Sequence, residues 1–230
     1  MTSSTPTGSD PILGRVFDAV LFDMDGTLTD STRAVNRSWR TWAVEQQLGA
    51  SFHGVQHGRP ARDMVAELVD ASQVDTSIAR VLELELSDTS DITALPGAAT
   101  IMAAIPDDRR AIVTSCTLDL CRARLAAAGF PAPGTVVTID DTPRGKPHPD
   151  PFLEGAARLG FDAGHCVVIE DAPAGLAAGR AAGCTTIGVV GTHLASELDA
   201  DLVVSSLDRL VVAVVAGGIS FSLLPTQSPR

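Results

Sequence analysis

The 230-residue chain contains no tyrosine, and aromatic residues make up only 4% of it. An interior with so few rings has to be built from Ala, Val, Leu and Ile, which suits layered α/β packing. Lysine is almost as scarce: of 17 Lys plus Arg residues, only Lys146 is a lysine, leaving 16 arginines. Cationic charge is in deficit overall, with a formal net charge of −11 and a pI near 4.7. That balance speaks against nucleic acid or anionic membrane as a partner, because both would be repelled. The four cysteines, Cys116, Cys121, Cys166 and Cys184, form no CxxC pair and have no zinc-type histidine spacing, so reduced thiols are expected. No apolar run is long enough to span a bilayer; residues 210–224 are too few and include Gly-Gly and Ser. The start, "MTSSTPTGSDP", lacks the basic and apolar regions of a signal peptide, and 1–10 reads as a disordered tail. A cytoplasmic chain, monomeric or weakly dimeric, is expected.

What is present is a rhythm. From about residue 108, short β-branched runs (110–115, 135–139, 165–170, 185–190 and 201–206) alternate with helical stretches at 118–128, 150–159 and 172–182. Gly129, Gly160 and Gly183 stand where a left-handed helix-terminal residue is wanted. This is the pattern of β-α units and a parallel sheet. The segment 217–223, "GGISFSL", reads as an edge strand, and "VVAVV" before it fits strand or helix. A first strand over 16–23 breaks the rhythm, because no buried strand succeeds it: 34–48, 61–71 and 75–86 all read as amphipathic helices. Pro96-Gly97 marks the return to the α/β core. A discontinuous core of 11–30 and 93–230 with a helical cap of 31–92 is expected.

Four features carry chemistry. In "LFDMDGTLTD", Asp23 and Asp25 end an apolar strand and are followed by Gly26 and Thr27, at the strand end where open α/β sheets bind ligands. Taken alone, the same stretch is also a polar strand end with a turn. In "IEDAPAG", Glu170 and Asp171 end another strand; brought beside the first pair, four carboxylates would need a cation, and all-oxygen ligands point to Mg²⁺. Asp171 also fits as the cap of the next helix, with Pro173 in its first turn, but capping leaves Glu170 unexplained. Thr114 and Ser115 in "IVTSC" lead from a strand into a helix, as an anion site or merely an N-cap. Lys146 in "RGKPHP" reads as surface or, given its singularity, as a compact charge beside a phosphate and a carboxylate.

Together and in this order, these features resemble the motif set of the haloacid dehalogenase superfamily of phosphotransferases, over nearly the whole chain after its tail. The resemblance implies a Rossmann-like parallel-sheet core with an inserted helical cap. It implies that Asp23 is the nucleophile that becomes an aspartyl phosphate, and that Asp25 is general acid and then general base. Mg²⁺ would be held by Asp23, the backbone carbonyl of Asp25, Asp171 and Glu170, with Lys146 on the other side of the phosphoryl group. Thr114 and Ser115 would hold phosphoryl oxygens, and Thr27 would orient Asp25.

Within the superfamily, "VTSCTLDL", "HGRPARDMV" and "IEDAPAGLAAGRAAG" look most like sugar and polyol phosphatases, including those acting on 2-deoxyglucose 6-phosphate or glycerol phosphate. A small phosphorylated metabolite is the implied partner. Asp25 speaks against dehalogenases, and the absence of a cap lysine against phosphonate hydrolases. Val35 stands where the β-phosphoglucomutase type has a histidine, which leaves a mutase as the alternative, beside a non-catalytic phosphate- or Mg²⁺-binding module. His57, Arg59 and Arg62 are the candidates for substrate contact from the cap, or else a solvated helix start. The order His57-Gly58-Arg59-Pro60 departs from the His-Gly-x-Arg of the relatives, and Cys116 replaces a small residue and is expected to be an inert buried thiol.

Overall fold

A computed structural model describes residues 12–56, 59–131 and 134–225. The expected tail and His57 lie outside them. In chain order the regular elements are β1 (Val16–Phe17), β2 (Ala19–Phe22), β3 (Thr29–Asp30), α1 (Thr32–Glu45), α2 (Ala61–Ala66), α3 (Val74–Ser87), β4 (Thr93–Ala94), α4 (Ala98–Ala104), β5 (Arg110–Val113), α5 (Leu118–Ala127), β6 (Val136–Val137), α6 (Asp150–Leu159), β7 (Cys166–Glu170), α7 (Pro173–Ala181), β8 (Thr185–Val189), β9 (Leu202–Val204), β10 (Leu210–Val215) and β11 (Gly218–Leu223).

The α/β architecture read from the alternating runs is what forms. Six parallel strands lie in the order β6-β5-β2-β7-β8-β9. Parallel neighbours need crossovers, and α5, α6 and α7 supply them, so both faces of the sheet are covered and its central strands β2 and β7 are buried along their whole length. The period of two divides β2 between two cores. Val20 and Phe22 pack with Ile101, Leu125 and Ile187, while Ala19 and Leu21 pack with Phe152 and Ala156 of α6. Gly129, Gly160 and Gly183 all adopt left-handed backbones, with φ between 78° and 83°.

The boundaries differ in physically readable places. The strand expected over 16–23 breaks at Asp18: Val16 and Phe17 pair antiparallel with Ser220 and Ile219 of β11, outside the main sheet, and only β2 continues into it. "VVAVV" is strand, not helix, because β10 turns back through Ala216-Gly217 to pair residue for residue with β11. The run at 135–139 shortens to β6 because the Thr138 N–H leaves the ladder and donates to the Asp141 carboxylate at 2.7 Å. The helix expected over 61–71 ends at Ala66, and Asp70 is extended.

Between β3 and β4, which pair antiparallel, the chain forms α1, α2 and α3. These helices share a cluster of their own around Val35, Trp39, Trp42, Val65 and Val81. The aromatic economy of the sequence is uneven here, since both tryptophans sit in α1 and the Trp39 ring stacks on Phe52 at 6.5 Å.

Candidate active site

Register alone brings the acidic residues together. Phe22 of β2 is flanked by Ile169 of β7 and Ile112 of β5, so the next residues along β2 and β7, Asp23 and Glu170, emerge at one end of the central strands, with Thr114 just past the end of β5. The Asp23 N–H donates to the Ile169 carbonyl at 2.9 Å, which carries the pairing one residue past β2. Carboxylate oxygens of Asp23, Glu170 and Asp171 all lie within 4.8 Å of one another, and all three residues are buried.

Lys146 closes this cluster from the loop before α6. Its ammonium donates to Asp23 Oδ1 at 2.6 Å and to Glu170 Oε1 at 2.8 Å, lies 5.1 Å from the centre of the Phe152 ring, and is 1% exposed. Burial disfavours its charge, but Asp23 and Glu170 outweigh that and raise its pKa above the ordinary lysine value. One ammonium against three carboxylates leaves an excess of negative charge. Asp23 is pushed up to about 7 by burial, with Lys146 opposing and Glu170 adding to the rise. Asp171 is pushed up to about 7 by burial and then by Asp23. Glu170 is also raised by burial, against the pull of Lys146.

Asp171 does not cap α7; that position belongs to Ala172, whose N–H donates to Glu170 Oε2 at 2.6 Å. The Asp171 carboxylate instead accepts from the Thr192 hydroxyl, from the Thr192 N–H at 3.4 Å, and from the Thr27 hydroxyl at 3.3 Å. The role expected of Thr27 is corrected by this contact. Its hydroxyl fixes Asp171, while Asp25 is oriented by Ser31 Oγ at 2.6 Å, Thr29 Oγ1 at 3.4 Å and Arg124 Nη1 at 2.7 Å. Ser31 stands at the α1 N-cap but makes no capping bond, so its hydroxyl serves Asp25. Gly26 allows the close approach: a Cβ there would lie 2.1 Å from Asp171 Oδ2, and φ is +90°.

A cavity of about 610 Å³ opens over this cluster, with Asp23, Asp25, Thr114, Ser115 and Lys146 on the core side. Thr114 Oγ1 accepts from the Cys116 N–H at 3.3 Å and contacts the Cys116 sulfur at 3.2 Å. Cys116 is half-buried and lines the cavity rather than being fully enclosed as expected; desolvation of its thiol still raises its pKa well above the ordinary value, and all four cysteines are free. On the cap side Arg59 and Arg62 reach the cavity lining, but their guanidinium groups are engaged by cap acids: Arg59 by Glu67 at 2.7 Å and Arg62 by Asp75 at 2.7 Å.

Two site residues lie outside the four motifs. Arg124 of α5, 4% exposed, pairs with Asp25 and lies 3.3 Å from Glu85 of α3, which also accepts from Trp39 Nε1 at 3.1 Å. Helical phase is the signal that marks them in the sequence. Arg124 shares the buried face of Leu120, Cys121 and Leu125, and Glu85 that of Val74, Ser77 and Val81.

An acidic cluster with one buried lysine thus lies at the carboxyl ends of a parallel sheet, under a helical insertion. The chain belongs to the haloacid dehalogenase-like hydrolases, whose family model matches residues 17–183. It is 41% identical over 209 residues to hexitol phosphatase A of Escherichia coli, covering 86% of this chain and 95% of that protein. It is 30% identical over 211 residues to glycerol-1-phosphate phosphohydrolase 2 of Saccharomyces cerevisiae, covering 85% and 84%. A solved structure of a hydrolase from Pseudomonas syringae superimposes with a TM-score of 0.74 at 25% identity, covering 83% of this chain and 94% of the other. No helix among the described residues is long and apolar enough to cross a membrane.

Proposed function

We propose that this phosphoric monoester hydrolase releases phosphate from a small sugar or polyol phosphate, with Mg²⁺ as cofactor and an aspartyl phosphate as intermediate. The observation that carries the reading is the convergence of Asp23, Glu170 and Asp171 on one point, with Lys146 bonded to Asp23. The relatives named for hexitol and glycerol phosphates support the substrate class.

The donor set suits a hard divalent cation. It is all oxygen and buried, and three carboxylates there face the single ammonium of Lys146. Asp23, Glu170, Asp171 and the Asp25 carbonyl would hold Mg²⁺, which supplies charge neutralisation at the phosphoryl oxygens. Without cations, a carboxylate meeting a phosphate at ~4 Å is repelled by about 4 kcal/mol per charge pair at an effective dielectric near 20.

Asp23 attacks phosphorus through a carboxylate oxygen, and the bond from phosphorus to the ester oxygen breaks. The leaving alkoxide takes a proton from Asp25. Asp25 then accepts a proton from water as that water attacks the acyl phosphate, releasing phosphate and regenerating Asp23. Lys146 holds Asp23 in place and offsets phosphoryl charge, while Thr114 and Ser115 bind phosphoryl oxygens. Substrate contacts from the cap by Arg59 and Arg62 require them to exchange Glu67 and Asp75 for substrate. Val35, buried in the cavity wall, carries no proton-transferring group, which favours hydrolysis over a mutase.

The test is a panel of phosphorylated sugars and polyols scored for released phosphate with Mg²⁺. Activity on at least one, abolished by Asp23→Asn, is expected; turnover that survives Asp23→Asn defeats the proposal.

A further inference from the structure

The pair formed by Glu85 and Arg124 belongs to none of the four motifs, yet it lines the cavity. Arg124 comes from α5 of the core and Glu85 from α3 of the cap, so their 3.3 Å contact crosses the cavity's edge where the two parts meet. The cap side of the cavity carries apolar Val35, Trp39, Met64 and Val81, with Arg59 and Arg62 engaged by acids of their own. Taking a carboxylate and a guanidinium out of water is costly, and apolar residues of similar volume would hold cap to core at least as well. What apolar residues cannot do is recognise hydroxyl groups.

Position says which hydroxyls. Arg124 donates to Asp25 at 2.7 Å, and Asp25 is the proposed acid toward the ester oxygen. A group one hydrogen bond beyond Asp25, on the cap side, faces the carbon skeleton just past that oxygen. Glu85 takes both the Trp39 and Arg124 bonds on Oε1, leaving Oε2 without a protein hydrogen bond among the described residues. A carboxylate oxygen accepts from a hydroxyl, and a neighbouring guanidinium donates to the adjacent one.

We propose that Glu85 and Arg124 form the subsite for a leaving group that carries a hydroxyl on the carbon next to the phosphorylated one, making them specificity-determining residues for polyol phosphates. This rests on the phosphatase reading and deepens it.

The experiment compares kcat/KM, with Mg²⁺, for glycerol 1-phosphate, its 2-deoxy analogue 3-hydroxypropyl phosphate, and 4-nitrophenyl phosphate. Wild type and Glu85→Gln are assayed in parallel; the amide still accepts from Trp39. The wild type should favour glycerol phosphate over the deoxy ester by roughly 10- to 100-fold, the factor carried by one hydrogen bond to a charged group. Glu85→Gln should lose most of that preference through a KM raised for glycerol phosphate alone, while the ratio between the deoxy and aryl esters stays as in wild type whatever loss they share through Arg124 and Asp25. A purely structural Glu85 would lower all three alike. If Glu85→Gln does not fold, Glu85→Asp, which withdraws the charge by one methylene, takes its place with the same expectation. An unchanged preference in the variant, or none in the wild type, overturns the proposal while leaving the phosphatase reading intact. Absence of turnover on every ester overturns that reading itself.

Discussion

Gly175 lies so close beneath Glu170 that a methyl group built on it would fall 1.7 Å from Glu170 Oε1, the oxygen that accepts from Lys146. In a helix interior Ala is favoured over Gly by about 1 kcal/mol, so stability alone would argue for Ala in α7. Gly175→Ala is expected to push Glu170 off its bonds to Lys146 and the Ala172 N–H, cutting kcat/KM by at least ~10-fold and lowering Tm despite the better helix propensity of Ala. Wild-type activity in this variant would separate Glu170 from the reaction.

Among the described residues, Lys146 is the only cation within bonding reach of Asp23 and Glu170. Lys146→Met strands two buried carboxylates and should destabilise the metal-free protein by about 3 kcal/mol or more, measured by urea unfolding. Lys146→Arg keeps the charge, but a planar guanidinium does not fit the small volume bounded by Asp23, Glu170 and the Phe152 ring. Its fold should survive and most of its turnover should be lost.

Mg²⁺ should stabilise as well as activate. A cation held at a hundred times its dissociation constant adds about 2.7 kcal/mol, which for a chain of this size raises Tm by roughly 5–10 °C. Chelation with EDTA should remove both the shift and phosphate release, and added Mg²⁺ should restore both. Asp171→Asn should abolish the Mg²⁺-dependent shift.

Away from the site, Asp141 offers a test against pH. Burial would raise its pKa, but the Thr138 hydroxyl, Arg158 and the Thr138 N–H outweigh it and lower it to about 2. A carboxyl held below its ordinary value of 3.8 stabilises the fold above about pH 4, and that contribution disappears as pH falls through 2. Asp141→Asn should thus be less stable than wild type at neutral pH, with the gap narrowing between pH 4 and 2 in denaturant titrations.

The sheet and the acidic cluster were legible because continuous apolar runs end in carboxylates at Phe22-Asp23 and Ile169-Glu170, and parallel pairing does the rest. What stayed hidden depended on partners far along the chain. The break at Asp18 is set by β11, near the opposite end of the sequence, and Thr27 looks equally able to reach Asp25 or Asp171 until Asp171 is folded over Gly26. Helical phase marks Glu85 and Arg124 as inward-facing, but only the seating of α3 against α5 makes them a pair.

The short ribbon of β3 and β4 has a broader meaning. The two ends of the insertion lie side by side, Thr29–Asp30 beside Thr93–Ala94 in a two-stranded sheet of their own, so everything from 31 to 92 hangs from one stalk. A graft at that stalk would exchange the proposed recognition surface while leaving the acidic strand ends undisturbed. Ser31 is the tether that any such graft must retain, because its hydroxyl steadies Asp25 from the first residue of the insertion.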